Sequence, residues 1–185
     1  MTRRGWHSLL VVSAALAVII SAMVIIRQSR ARREAAAGER SARVERALVG
    51  TRPVVAFRGH AQDTVTSAET DRRLLLYVTR RDCRPCRRLS ALLAETLRAK
   101  PGRDAELWVA GAAEREELEM LLTTGTPARD VHALDAEEFR RAFRIEGLPY
   151  LAAVDTGGIV RHVHIGYWEG MTLPWVDTFA PRASR

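Results

Sequence analysis

From residue 9 to residue 26 every position is apolar or small (LLVVSAALAVIISAMVII), with no polar face at any helical or strand period. Those 18 residues, at ~1.5 Å rise each, reach about 27 Å, close to the hydrocarbon thickness of a bilayer. The pattern therefore predicts a transmembrane helix over residues 9–26. A cleaved signal peptide would need a small-residue cleavage site in an uncharged stretch just after the apolar core. Here Arg27, Arg30, Arg32 and Arg33 follow the core directly, and the nearest Ala-x-Ala, Ala35 to Ala37, lies beyond them. Residues 1–8 are then an N-terminal flank. Residues 27–52, rich in Ala, Arg and Glu, read as a helical stalk or charged linker closed by Gly50 and Pro53.

After residue 53 short apolar runs alternate with amphipathic stretches, which predicts an α/β domain over residues 53–180 built on a largely parallel central sheet. Residues 54–57 and the region of Val65 fit a peripheral hairpin. Residues 74–78 (LLLYV) are a continuous apolar run, as in a strand buried on both faces. Behind it Pro85 suits a first helical turn, and Leu89, Leu92, Leu93 and Leu97 recur at helical spacing. Residues 107–110 (LWVA) form the next strand, and residues 114–122 an acidic amphipathic helix. Asp135 caps a further helix that carries Phe139, Phe143 and Ile145 toward the core. Two last apolar strands flank the turn Thr156-Gly157-Gly158 as an antiparallel hairpin. Between Pro174 and Pro181 there is room for a brief terminal helix.

Charge divides unevenly between these parts. The net charge is +7 and the isoelectric point about 10.5. Residues 1–46 hold nine arginines and three glutamates, whereas residues 47–185 hold 20 basic and 19 acidic residues. The basic character belongs to the anchor and its flank, which suits anionic lipid head groups and gives no support for nucleic-acid binding. Arginines stand on both sides of the apolar run, so charge alone does not orient it.

The chain has two cysteines, and both lie in Cys83-Arg84-Pro85-Cys86, directly between the 74–78 strand and the helical pattern that follows. A cysteine at a helix start meets unpaired N–H groups and the positive end of the helix dipole, which favour a thiolate. A second thiol three residues on can attack any mixed disulfide the first one forms. No second pair of cysteines completes a four-thiolate zinc site. Arginines at 72, 73, 80, 81, 84, 87 and 88, against the single acid Asp82, should favour the thiolate further. A dithiol of this kind has an evident use on the oxidising side of a membrane, which places the domain outside the cytoplasm. His162 and His164 share one face of their strand. With Cys83 and Cys86 they could supply a thiolate–imidazole set for copper or zinc.

A strand ending in C-x-P-C at a helix start, a hairpin opening with Gly147-Leu148-Pro149, and the turn Asp155-Thr156-Gly157-Gly158-Ile159-Val160 together resemble a thioredoxin-like fold. The 63-residue gap from Cys86 to Pro149 leaves room for an extra helix–strand insertion. In that respect the chain is similar to the membrane-anchored TlpA-like thiol–disulfide oxidoreductases, a group that includes the accessory redox protein of methylamine utilisation. The resemblance implies a central mixed sheet flanked by helices, preceded by one transmembrane helix. It implies Cys83 as attacking thiol, Cys86 as resolving thiol and Pro149 as a cis-proline facing them, with Leu148, Arg84 and Pro85 against the substrate. The expected activity is an enzymatic one, disulfide exchange with extracytoplasmic protein thiols and disulfides, with a membrane electron donor or acceptor as second partner. No cofactor is expected beyond the redox-active disulfide, and the expected place is a bacterial inner (plasma) membrane, crossed once. A copper or zinc metallochaperone and a non-catalytic thioredoxin-like interaction domain are the alternatives. Three positions depart from the family pattern: Asp82 stands where an aromatic is usual, Leu148 where Thr or Val is common, and Leu89 where many TlpA-like reductases carry a glutamate. No acidic residue stands out in the sequence as proton acceptor for Cys86.

Overall fold

The computed structural model describes residues 3–59, 63–67, 72–99 and 104–179. The chain divides into two compact units, Met1–Gly38 and Glu39–Arg185. One helix, α1 (Arg3–Leu48), makes up the first unit and ends in the second. No helix is long and apolar enough to cross a membrane among the residues whose side chains are described. The run expected to do so, 9–26, lies partly outside them, at 9–15 and 17. Its described remainder from Val18 to Ile26 is exposed at every position.

The second unit begins with the last turns of α1, in the stretch read above as stalk. Val44 and Leu48 are buried, and Ser41 Oγ accepts the Ile165 N–H at 3.2 Å. The helix stops at Gly50, whose φ of 88° is the left-handed conformation that glycine adopts at little cost. Beyond it the chain exchanges backbone bonds with the sheet edge, Gly50 N–H to Val160 O and Val160 N–H to Thr51 O, both 2.9 Å. The domain thus starts earlier in the chain than the residue 53 expected from the Gly50 and Pro53 breaks, because those breaks end a helix that is already packed.

The sheet consists of β1 (Ala56–Gly59), β2 (Thr64–Thr66), β3 (Arg73–Thr79), β4 (Ala105–Gly111), β5 (Ala128–Ala133), β6 (Tyr150–Val154) and β7 (Val160–Ile165), in the order β2-β1-β5-β4-β3-β6-β7. The helices are α2 (Arg84–Ala99), α3 (Arg115–Leu122), α4 (Ala136–Ala142) and α5 (Pro174–Phe179). Among the described residues, β3–β4 and β4–β5 are parallel, and the pairs β3–β6, β6–β7, β1–β2 and β1–β5 are antiparallel. The sheet is therefore mixed, as the family resemblance implied, and not largely parallel as alternation alone suggested. A buried strand is apolar whichever way it runs, so composition carries no direction; the short turn between β6 and β7 does. β5, absent from the sequence reading, has the polar sequence ARDVHA and buries one residue, Val131.

Alternation along β3 builds two cores. Leu74, Leu76 and Val78 face Phe57, Trp108, Phe139, Phe143 and the end of α1. Leu75 and Tyr77 face Leu89, Leu93 and Leu97 of α2, with Leu121 of α3 and Val176 of α5. Edge-to-face contacts between Phe57 and Trp108, Phe57 and Phe139, and Phe139 and Phe143, with centroids 5.2–5.5 Å apart, join α4 to the sheet. The expected inward placement of Phe139 and Phe143 is thereby realised.

Candidate redox site

β3 ends at Thr79, and three residues later the chain turns sharply into α2. Asp82 makes the turn with φ 57°, and its N–H donates to Glu114 Oε1 at 3.2 Å. Cys83 stands immediately before α2 and Cys86 within its first turn. The two are joined by a disulfide with Cα atoms 5.2 Å apart. Cys86 N–H donates to Cys83 Sγ at 3.2 Å, so an unpaired amide of the helix start is aimed at that sulfur. Cys83 is 9% exposed and Cys86 0%. Arg84 and Pro85 are exposed beside them, and Pro85 costs no hydrogen bond in a first turn.

Register brings the proline to the same end of the sheet. Val78 of β3 pairs with Tyr150 of β6, so Pro149 sits one residue past that pair, where β3 gives way to the loop carrying Cys83. The Leu148–Pro149 peptide is cis. Pro149 is buried and its carbonyl accepts the Gly166 N–H at 2.8 Å, while Leu148 is half-buried against the Phe139 core.

Beneath Cys86 lies a polar cluster that the sequence reading missed. Glu117 of α3 is 3% exposed, and its Oε1 accepts from Thr79 Oγ1 at 3.0 Å, from Tyr77 Oη at 3.1 Å and from Ser90 Oγ. The carbonyl of Cys86 in turn accepts from Tyr77 Oη at 2.9 Å and Ser90 Oγ at 3.0 Å. Each hydroxyl has a single proton, so Tyr77 and Ser90 can serve either Glu117 or Cys86, and Thr79 completes the set. Glu117 Oε2 has no hydrogen-bond partner among the described residues. Burial raises the Tyr77 phenol above its usual range; the Ser90 hydrogen bond opposes this and the Glu117 charge adds to it. Tyr77 therefore remains a donor at neutral pH. A signal for the cluster was present: Glu117 shares the buried face of α3 with Leu121, four residues on, and Ser90 lies next to Leu89 on the buried face of α2.

The seven arginines separate. At the far end of β3, Arg73 donates to Phe179 O at 3.0 Å and lies over the Phe179 ring. Only those from 80 to 88 belong to the cysteine end. There Arg87 pairs with Glu114 at 3.2 Å and Arg88 covers the Tyr167 ring at 5.9 Å, while Arg80, Arg81 and Arg84 are exposed.

The histidines are engaged elsewhere. His164 is 8% exposed, shares a hydrogen bond with Gly166 O at 3.0 Å and rests on Trp168. Burial holds its pKa below the ordinary histidine range, with the Gly166 carbonyl opposing. His162 stacks on Trp175 at 5.2 Å, with Nδ1 3.7 Å from Glu45 Oε1. Among the described residues no group of three or more His, Cys, Asp or Glu is placed to hold a metal ion. The set Cys83, Cys86, His162 and His164 is thus not assembled, because packing on tryptophans and not proximity to the cysteines decides where the imidazoles go.

No family model matches the sequence, and comparison with characterised proteins by sequence finds no match. Solved structures do match. A thio-disulfide isomerase from Thermus thermophilus superposes with a TM-score of 0.52 at 16% identity, over 74% of this chain and 99% of that one. StoA from Bacillus subtilis gives 0.48 at 14% identity, over 70% and 98%. The thioredoxin domain of a thiol-disulfide oxidoreductase from Bacteroides vulgatus gives 0.48 at 15%, over 64% and 89%. At such identity the first of these shows the fold alone. The chain has a thioredoxin-like fold with a cysteine pair at C-x-x-C spacing.

Proposed function

We propose that the chain is a membrane-tethered thiol–disulfide oxidoreductase that exchanges disulfides with extracytoplasmic proteins through Cys83 and Cys86. The observation that carries the reading is the Cys83–Cys86 disulfide at the start of α2, its first cysteine 9% exposed and its second fully enclosed, with a buried carboxylate close by. In the reduced protein the Cys83 thiolate, held by the helix start, attacks one sulfur of a partner disulfide. That S–S bond breaks, and the partner's other sulfur leaves as a thiolate and takes up a proton. Cys86 then loses its proton and attacks Cys83 Sγ, breaking the mixed disulfide and releasing the second partner sulfur. Two electrons have passed to the partner, and the chain is left with its disulfide closed. A membrane dithiol donor restores the reduced form by the same steps in reverse.

Glu117 takes the role of acceptor for the Cys86 proton, its carboxylate held near the helix start by Tyr77 and Ser90, which also bond the Cys86 carbonyl. It enters from α3, whereas the family's usual glutamate would stand at Leu89 of α2. Pro149 and Leu148 line the approach to Cys83, with Arg84 and Pro85 opposite them. The apolar run 9–26 serves as the anchor, and its exposed side chains from Val18 to Ile26 suit lipid.

The test is capture on a Cys86→Ala variant of the full chain, expressed in membranes. Partners should remain joined to Cys83 by a disulfide that reductant releases, and the complexes should sediment with membranes and be open to protease from the extracytoplasmic face. A variant that captures nothing, in a protein whose wild-type cysteines stay alkylatable at every accessible potential, would overturn the reading.

A further inference from the structure

The surface around Cys83 is basic in a domain that is otherwise almost neutral. Residues 80–88 contain five arginines and one acid, although residues 47–185 as a whole are nearly balanced. Two of the five are engaged, Arg87 by Glu114 and Arg88 by the Tyr167 ring. The Glu114 carboxylate is committed to Arg87 and to the Asp82 N–H, so it is not available to the others. Arg80, Arg81 and Arg84 are exposed and make no hydrogen bond, ion pair or ring contact among the described residues. Three like charges within five residues repel one another, and the one carboxylate among them, Asp82, leaves a net positive charge. They also flank Cys83, the member of the pair that keeps some exposure, 9% against 0% for Cys86, so any protein that exchanges with Cys83 must lay the neighbours of its own cysteine across them.

We propose that Arg80, Arg81 and Arg84 select partner proteins whose reacting cysteine is flanked by aspartate or glutamate. The proposal rests on the thiol–disulfide reading above and adds the chemistry of the partner. Opposite charge at the rim of a contact acts on encounter more than on the bound state, so the preference belongs in the association rate and weakens with salt. Anionic lipid is the other polyanion such a rim could meet, but a bilayer seated on these arginines would cover the sulfur they surround.

The reduced full-length chain in non-ionic detergent should be mixed with three disulfide peptides that differ only in residues flanking the cysteines: glutamate, serine or lysine. Dividing each rate by that of dithiothreitol with the same peptide removes the peptide's intrinsic reactivity. At low ionic strength the corrected rates should fall in the order glutamate, serine, lysine, with about tenfold between the extremes. High salt should bring the ratio toward one, and so should the double variant Arg80→Gln, Arg81→Gln. Equal corrected rates at low salt, or a ratio untouched by the double variant, would overturn the selection while leaving the oxidoreductase reading intact, since the peptides are still reduced. Equal rates together with arginine-dependent binding to phosphatidylserine vesicles would overturn it in favour of a lipid contact. Failure to reduce any of the peptides would remove both readings.

Discussion

Glutamine could replace Glu117 without disturbing the packing around it. The amide has the same shape, offers the same carbonyl to Thr79, Tyr77 and Ser90, and gives up a buried charge of which one oxygen has no partner. Glu117→Gln should therefore leave unfolding by urea unchanged or move it to higher denaturant. If Glu117 takes the Cys86 proton, exchange should slow by about 10²-fold at neutral pH, the usual worth of a positioned base. The deficit should narrow as pH rises and solvent deprotonates Cys86 unaided. Quenched-flow exchange across pH checks this; a parallel profile of unaltered shape would make Glu117 structural. His164 sets a second pH dependence. Its folded pKa lies below the unfolded value of about 6.5, so the unfolded chain takes up a proton first as pH falls. The stability tied to the neutral ring is present in full above the unfolded pKa and is lost as pH drops through the folded one. Urea midpoints between about pH 7.5 and pH 5 should fall more steeply for the wild type than for His164→Gln.

At the scale of elements, the site depends on how closely the ends of β3 and β4 approach. Gly111 closes β4 with φ 99°, and a Cβ there would run into the Thr79 carbonyl oxygen, which is backbone and cannot swing aside. Gly111→Ala should destabilise the domain by about 2 kcal/mol or more and should displace Thr79 from Glu117. A denaturant titration measures the first effect, and the rate of disulfide exchange relative to Glu117→Gln the second. Much at this scale was legible in the chain. β3 is a bare apolar run, α2 shows its leucine spacing, and Asp155 announces the β6–β7 turn. In the structure Asp155 Oδ1 accepts the N–H groups of Gly157 and Ile159, both at 2.9 Å. β5 was not legible, because an almost wholly half-exposed strand such as ARDVHA shows no apolar run or alternation to read. For Glu117 the sequence held only its place on the Leu121 face of α3: an acidic residue in an amphipathic helix is normally solvated, and the meeting of Tyr77, Thr79 and Ser90 from two other elements is what makes its burial tolerable.

For the whole molecule the decisive boundary is the one at Glu39. Removing residues 1–38 takes away no residue of the second unit, so a chain starting at Glu39 should unfold cooperatively at the same urea concentration as the full-length protein in detergent. Starting at Pro53 removes Val44 and Leu48 from the core and the backbone bonds of Gly50 and Thr51 to β7. That protein should lose about 3 kcal/mol or more, read as a lower midpoint in the same titration. By itself the sequence determined the apolar run at 9–26, the alternation that makes an α/β domain, and a cysteine pair at a strand-to-helix junction. These are local matters of hydrophobic period and of which residues can begin a helix. The tertiary structure alone decided that the end of α1 belongs to the domain, which strand pairs run antiparallel, that the histidines pack on tryptophans away from any ligand set, and that Glu117 lies beneath Cys86. Each of these depends on residues from elements distant in the chain meeting where water is excluded, and no local pattern records which elements will meet.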